Sequence, residues 1–198
     1  WPLIPSLVLG ASFFVQSGTL DRSAEPVGAR PVLQVATANL NFDTTDFSAL
    51  LGWLVSGEAP DVVLLQEFTG QAQLALQAPA VVQRYPHRVE APQPDPFGLA
   101  ILSRYPLSDV QKVEPADMQA TLRLRATVTW AGGPVRLSAI HPMPPLNAIY
   151  AQLRDQVLVE EAQHLSHSGG LALMAGDFNT PPWAKGLFAI DSQLRRAN

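Results

Sequence analysis

At 198 residues the chain is long enough to enclose one substantial core, and its length argues for a single domain. Hydrophobic residues make up 47% and charged residues only 15%, which excludes general disorder, and a formal net charge of -4 excludes a global basic field for gripping nucleic-acid backbones. Cysteine is absent, so disulfides and thiolate metal centres are excluded and any metal must rest on oxygen or imidazole.

Trp1 to Val15 is an apolar run broken by Pro2, Pro5 and Gly10, with no initiating Met and no basic flank ahead of it. A complete spanning helix needs about 20 apolar residues, and a signal peptide needs a positive flank and a cleavage site. Residues 1–17 therefore read as an apolar leader, with the remnant of a membrane helix, and hence a membrane tether, as the expectation it raises. Residues 18–31, with Asp21, Arg22, Glu25, Pro26 and Gly28, are polar and turn-rich and read as a linker.

From Val32 onward, short β-type runs alternate with longer helical ones, the pattern of a layered α/β or α+β domain over 32–198. Val32 to Leu40 reads as a buried strand. Asp43, Thr44 and Thr45 are N-cap residues for a helix carrying Phe47, Leu50, Leu51 and Leu54 and stopping near Gly57. Asp61 to Gln66 is a continuous apolar strand ending at Glu67. Thr69 to Gln77 is a short helix, and the proline-punctuated stretch Pro79 to Pro96 holds one strand around His87 to Glu90. Phe97 to Ser103, Leu107 to Val113, Thr121 to Trp130 and Pro134 to His141 read as four strands pairing as antiparallel neighbours, with Gly132-Gly133 as the last hairpin turn. Asn147 to His167 is the longest helix, ended by Gly169-Gly170. Leu171 to Ala175 is a final buried strand, delivering Gly176-Asp177-Phe178-Asn179-Thr180-Pro181-Pro182.

Several of these strands end in polar residues that a core would not choose: Asn39 and Asn41, Glu67, His141, then Asp177 with Asn179. Ligands bind beyond the carboxyl ends of strands in open α/β sheets, so the pattern brings two carboxylates, a histidine and amides towards one crevice. A hard divalent cation with oxygen ligands, Mg²⁺ or Mn²⁺ rather than Zn²⁺, suits such a set.

The ordered succession Thr37-Ala38-Asn39-Leu40-Asn41, Leu65-Gln66-Glu67, Gly98 to Leu107, Ala139-Ile140-His141-Pro142 and Gly176 to Pro181 resembles the endonuclease/exonuclease/phosphatase superfamily from about Val32 to the C-terminus. The resemblance implies a four-layer α/β sandwich, two mixed and mainly antiparallel sheets packed face to face with outer helices. It also implies a metal-dependent phosphoesterase acting on a phosphate ester of nucleic acid, lipid headgroup or small molecule. By this likeness Glu67 is the principal metal ligand and Asn39 the amide beside it that holds metal or phosphate. Asp177 orients or deprotonates the attacking water, Asn179 binds phosphate, and His141 stabilises phosphoryl oxygens or assists the leaving group. Arg104 falls on the family's Ser-Arg-Xaa-Pro segment near the site. Two departures accompany it. Asn41 stands where abasic-site endonucleases carry an acid, and the chain reaches Asn198 without the family's Ser-Asp-His element. The second departure leads to the expectations of impaired turnover and an uncovered sheet edge, and keeps a non-catalytic binding module as the alternative reading.

Overall fold

The computed structural model describes residues 14–16, 32–114, 121–167 and 169–180. In chain order the elements are β1 (Phe14–Gln16), β2 (Val35–Asn39), α1 (Ser48–Leu54), β3 (Val62–Gln66), α2 (Gly70–Ala75), α3 (Pro79–Arg84), β4 (His87–Ala91), β5 (Leu99–Ser103), β6 (Leu107–Val113), β7 (Arg123–Trp130), β8 (Gly133–Ile140), α4 (Ala148–His167) and β9 (Leu171–Gly176). They form two sheets, one ordered β1-β9-β8-β7-β6 and the other β2-β3-β5-β4. The β2/β3 and β8/β9 pairs are parallel and the remaining pairs antiparallel, so both sheets are mixed.

The period of two along each strand sorts side chains into layers. Val62 and Leu64 of β3, with Leu99 and Ile101 of β5, meet Leu124, Ala126 and Val128 of β7, Leu137 and Ala139 of β8 and Leu173 of β9 in one core between the sheets. The alternate residues Val63, Leu65, Ala100 and Leu102 face outward, where Phe47, Leu54, Ala72, Leu76, Val81 and Tyr85 from the α1 to α3 region cover them. On the other outer side Leu158, Ala162 and Leu165 of α4 cover Ile140, Ala172 and Met174. The result is the four-layer sandwich that the family resemblance implies.

Several local expectations are corrected. The strands around Leu99 and Leu107 are not neighbours: β5 pairs with β3 and β4, while β6 pairs with β7 in the opposite sheet. The chain crosses between sheets over residues 104–106. Helix α1 starts at Ser48 rather than behind Asp43 to Thr45, because Thr44 is committed to a turn; its N–H donates to Asn41 O at 2.8 Å and its hydroxyl to Leu40 O at 2.7 Å. The proline-punctuated stretch holds an extra helix, α3, with Pro79 at its first turn, where a missing N–H costs nothing.

Within the leader, Phe14–Gln16 form a strand rather than helix, pairing antiparallel with β9 through Phe14↔Met174 and Gln16↔Ala172. Strand β9 is thus flanked on both sides, by β1 and by β8. Residues 1–13 and the linker up to residue 31 lie outside the described residues. Among those described, no helix is long and apolar enough to cross a membrane.

Candidate active site

Both parallel pairs end at the same rim. Asn39 closes β2 beside Gln66 at the end of β3, and Ile140 closes β8 beside Gly176 at the end of β9. One sheet thus carries Asn39 and Glu67 to this edge and the other carries His141 and Asp177. The Asn39 side chain joins them: its Nδ2 donates to Glu67 Oε1 at 2.8 Å and to Asp177 Oδ2 at 3.2 Å. Its Oδ1 accepts the Asn41 N–H at 2.9 Å, which fixes the amide so that nitrogen, not oxygen, faces the carboxylates.

Glu67 is held from a second direction by the Phe42 N–H, which donates to Oε2 at 2.5 Å. Its φ of 55° puts it in the left-handed region immediately after a fully buried strand, where the turn swings the carboxylate out of the sheet and across the rim. Asn41 and Asn179 share that region, at φ 59° and 49°. Three left-handed non-glycine residues around one rim represent local strain of about 1–3 kcal/mol each, less for asparagine, and such strain collects at functional sites.

His141 is almost fully buried. Its Nδ1 lies 3.0 Å from Pro96 O, and the Phe97 ring lies against it with centroids 5.7 Å apart. A carbonyl can only accept, so Nδ1 carries the proton and Nε2 is turned towards Asp177 Oδ2, 4.0 Å away. Asp177 receives the Asn179 N–H on Oδ1 at 2.9 Å, and Asn179 Nδ2 donates to Pro142 O at 2.8 Å. The turn after β9 is thereby tied to the segment after β8.

Of the residues singled out in the sequence, Asn39, Glu67, His141, Asp177 and Asn179 converge, and Asn41 stands beside them, exposed, orienting Asn39 through its backbone. Arg104 does not converge. Strand β5 runs against β3, with Leu99 opposite Gln66 and Ser103 opposite Val62, so Arg104 sits at the start of β3, roughly 15 Å of strand from Glu67. There it makes a 2.8 Å salt bridge to Asp61, a structural pairing. The sequence reading missed Pro96, Phe97 and Phe42, whose roles are largely backbone or stacking contacts and leave no sequence signal. It also missed Arg154, whose Nη1 donates to Asn179 O at 3.0 Å.

Two carboxylates within two hydrogen-bond lengths of each other, with no lysine or arginine paired to either among the described residues, form a site of uncompensated negative charge. Glu67 and Asp177 offer carboxylate oxygens, which fits a hard divalent cation at Glu67, whereas Asn39 turns its amide nitrogen to them and would add an oxygen only with that amide reversed. Among the described residues, no group of three or more His, Asp or Glu side chains gathers into a metal-binding cage.

The sequence model of the Endonuclease/Exonuclease/phosphatase family matches residues 36–197. The chain belongs to this family. No curated protein matches it in sequence. Among solved structures, a β-hairpin deletion mutant of beta toxin from Staphylococcus aureus is 13% identical with a TM-score of 0.61, covering 82% of this chain and 72% of that one. Sphingomyelinase C from Streptomyces griseocarneus is 19% identical with a TM-score of 0.63, covering 83% and 70%. D. rerio TDP2 complexed with single-strand DNA product is 22% identical with a TM-score of 0.65, covering 80% and 64%. A further beta toxin variant from S. aureus, 13% identical with a TM-score of 0.59, carries bound magnesium ions. At these identities the likenesses establish a shared fold. Family membership, not these likenesses, places the chain among endonuclease, exonuclease and phosphatase proteins.

Proposed function

We propose that this chain hydrolyses a phosphodiester or phosphomonoester by metal-assisted, in-line attack of water, with Mg²⁺ or Mn²⁺ as the ion. The observation that carries the reading is the convergence of Glu67 and Asn39 from one sheet with His141 and Asp177 from the other, around Asn39 Nδ2. Support for the ion comes from the oxygen donor set and from the magnesium bound in the beta toxin variant. Support for a phosphate-ester substrate comes from the family and from the DNA product in the TDP2 complex.

Phosphoryl transfer asks little covalent chemistry of a protein; it needs charge neutralised on the non-bridging oxygens and a water placed in line. A divalent cation at Glu67 supplies the neutralisation when bound. The remaining steps belong to the chain. Asp177, with Oδ1 anchored by the Asn179 N–H, presents Oδ2 as the acceptor that orients the attacking water and takes its proton. His141, its Nδ1 proton committed to Pro96, reaches a phosphoryl oxygen or the leaving group through Nε2 in its doubly protonated form, in which both ring nitrogens donate. Asn179 uses one Nδ2 hydrogen on Pro142 and keeps the other for phosphate.

The test is turnover of bis(p-nitrophenyl) phosphate and p-nitrophenyl phosphate with Mg²⁺, with Mn²⁺ and with EDTA. Hydrolysis of at least one ester that stops on chelation and returns on adding metal supports the reading. Metal-independent hydrolysis, or none with either ion on these and on single-stranded DNA and sphingomyelin, would overturn it. The substrate arms also separate nucleic-acid, lipid-headgroup and small-molecule preference.

A further inference from the structure

Helix α4 buries two charged residues on the face it packs against the sheet, Arg154 and Glu161. Glu161 is accounted for by Arg125, Arg123 and the Ser138 hydroxyl, a closed ionic cluster beneath the helix. Arg154 has a different relation to the molecule. Its guanidinium reaches out of the helix to the turn after β9, where Nη1 donates to Asn179 O at 3.0 Å, while Nε and Nη2 straddle Asp155 Oδ1 at 2.9 and 2.7 Å.

Asn179 is held at φ 49°, a conformation an L-residue adopts at some cost and keeps only when its surroundings impose it. Three bonds impose it here: its N–H to Asp177 Oδ1, its Nδ2 to Pro142 O, and the Arg154 guanidinium on its carbonyl. The first is a turn bond to a carboxylate and the second a neutral amide–carbonyl bond, both within the site. The third is charge-assisted, comes from a largely buried side chain and is anchored in a 20-residue helix, so it ties the turn to an element outside the site.

We infer that Arg154 is a positioning residue: it clamps the Asn179 carbonyl and so fixes the 177–179 turn, setting where Asp177 Oδ2 stands relative to Glu67 and His141. Asp155 in turn holds the guanidinium fork in register. This rests on the phosphoesterase reading for its kinetic consequence, though the clamp itself does not. A misplacement on the order of 1 Å at a reacting group costs up to about 100-fold in rate, so loss of the clamp is expected in kcat. Glu67, the principal metal ligand of the proposed site, receives no bond from Arg154.

The experiment compares wild type with Arg154→Gln and Asp155→Asn, using bis(p-nitrophenyl) phosphate turnover, Mg²⁺ titration and the NMR signal of the Asn179 side-chain amide. The expected result is a kcat lower by roughly 10- to 100-fold in Arg154→Gln and less in Asp155→Asn. KM and the Mg²⁺ midpoint should stay within about two-fold, and the Asn179 amide should lose its bonded shift and slow exchange. A double variant with Asp177→Asn should then fall little further than Asp177→Asn alone, because the clamp acts through that carboxylate. An unchanged kcat, effects of Arg154→Gln and Asp177→Asn that simply multiply, or an unmoved Asn179 amide would each overturn the inference. Should Arg154→Gln not fold, Asp155→Asn decides by the same readouts. Should wild type show no turnover, the phosphoesterase reading fails, and the NMR comparison still decides the clamp.

Discussion

Glu67 illustrates how much of the site rests on single side chains. Its carboxylate is bound by one amide and one backbone N–H, and its backbone sits in a left-handed turn that positions it across the rim. Glu67→Gln keeps the shape and most of the hydrogen-bonding capacity but removes the charge. The expected outcome is loss of the Mg²⁺-induced rise in melting temperature and a fall in kcat/KM of at least about 100-fold, checked by thermal scans with and without Mg²⁺ and by steady-state kinetics. At this scale the sequence was informative wherever a polar residue interrupted a strand end: Asn39, Glu67, His141 and Asp177 announce themselves because a strand-like run stops at each, although the run before Asn39, read as buried, is only partly so. Arg104 looked equivalent in one dimension, but only strand direction reveals that it faces Asp61 at the far edge. Arg154 had a fainter signal. It lies four residues from both Tyr150 and Leu158, an apolar-face position on a helix where a charge needs a buried partner.

The elements that deliver these side chains depend on a few close backbone approaches. Gly176, at the end of β9, has φ 153°, and a Cβ there would sit 1.9 Å from Ile140 O. The Gly-Asp-Phe-Asn turn can therefore pass beside β8 only without a side chain. Gly176→Ala is expected to push β9 off β8 and move Asp177, lowering both melting temperature and kcat, with the kinetic loss persisting at temperatures where circular dichroism shows the variant folded. Helix α3 supplies a second case through Tyr85, which closes it. The ring is fully buried and its hydroxyl donates to Pro60 O at 2.8 Å. Burial raises its pKa above the ordinary 10.0, so the folded chain holds this proton more tightly than the unfolded chain. The corresponding stability is present below about pH 10 and is lost as pH climbs beyond it. Tyr85→Phe should flatten that alkaline decline in urea-unfolding midpoints while costing about 1–3 kcal/mol at neutral pH, because the Pro60 carbonyl is left unbonded. Element existence was mostly legible from periodicity. What periodicity could not carry was partnership: β5 and β6 follow one another closely and look like a hairpin, yet belong to different sheets because Arg104 to Pro106 turns the chain across the sandwich. Nor could it see that α1 begins late, since Thr44 looked like a cap and spends its hydroxyl on Leu40 O instead.

For the whole molecule, the decisive layer is the apolar seam between the sheets, where Leu64, Leu99 and Ile101 face Leu124 and Leu137, all essentially inaccessible to solvent. Ile101→Ala should cost about 2–5 kcal/mol through lost burial and the cavity left behind, read from chemical denaturation. The layered architecture was readable from the alternation of short and long apolar runs, and the family resemblance gave its order. The strand Phe14–Gln16 was not readable, because Pro2, Pro5 and Gly10 made the apolar stretch look like a broken helix, and three residues carry no period.

Because Glu67 and Asn39 ride on one slab of the sandwich while His141 and Asp177 ride on the other, the mouth behaves like the jaws of a caliper whose setting screw is the oily seam behind them. Heat loosens that screw before it breaks the tool. Catalytic output should accordingly decline over a temperature interval below the unfolding transition, and Ile101→Ala should widen that interval even though the substituted side chain never approaches the reacting phosphate.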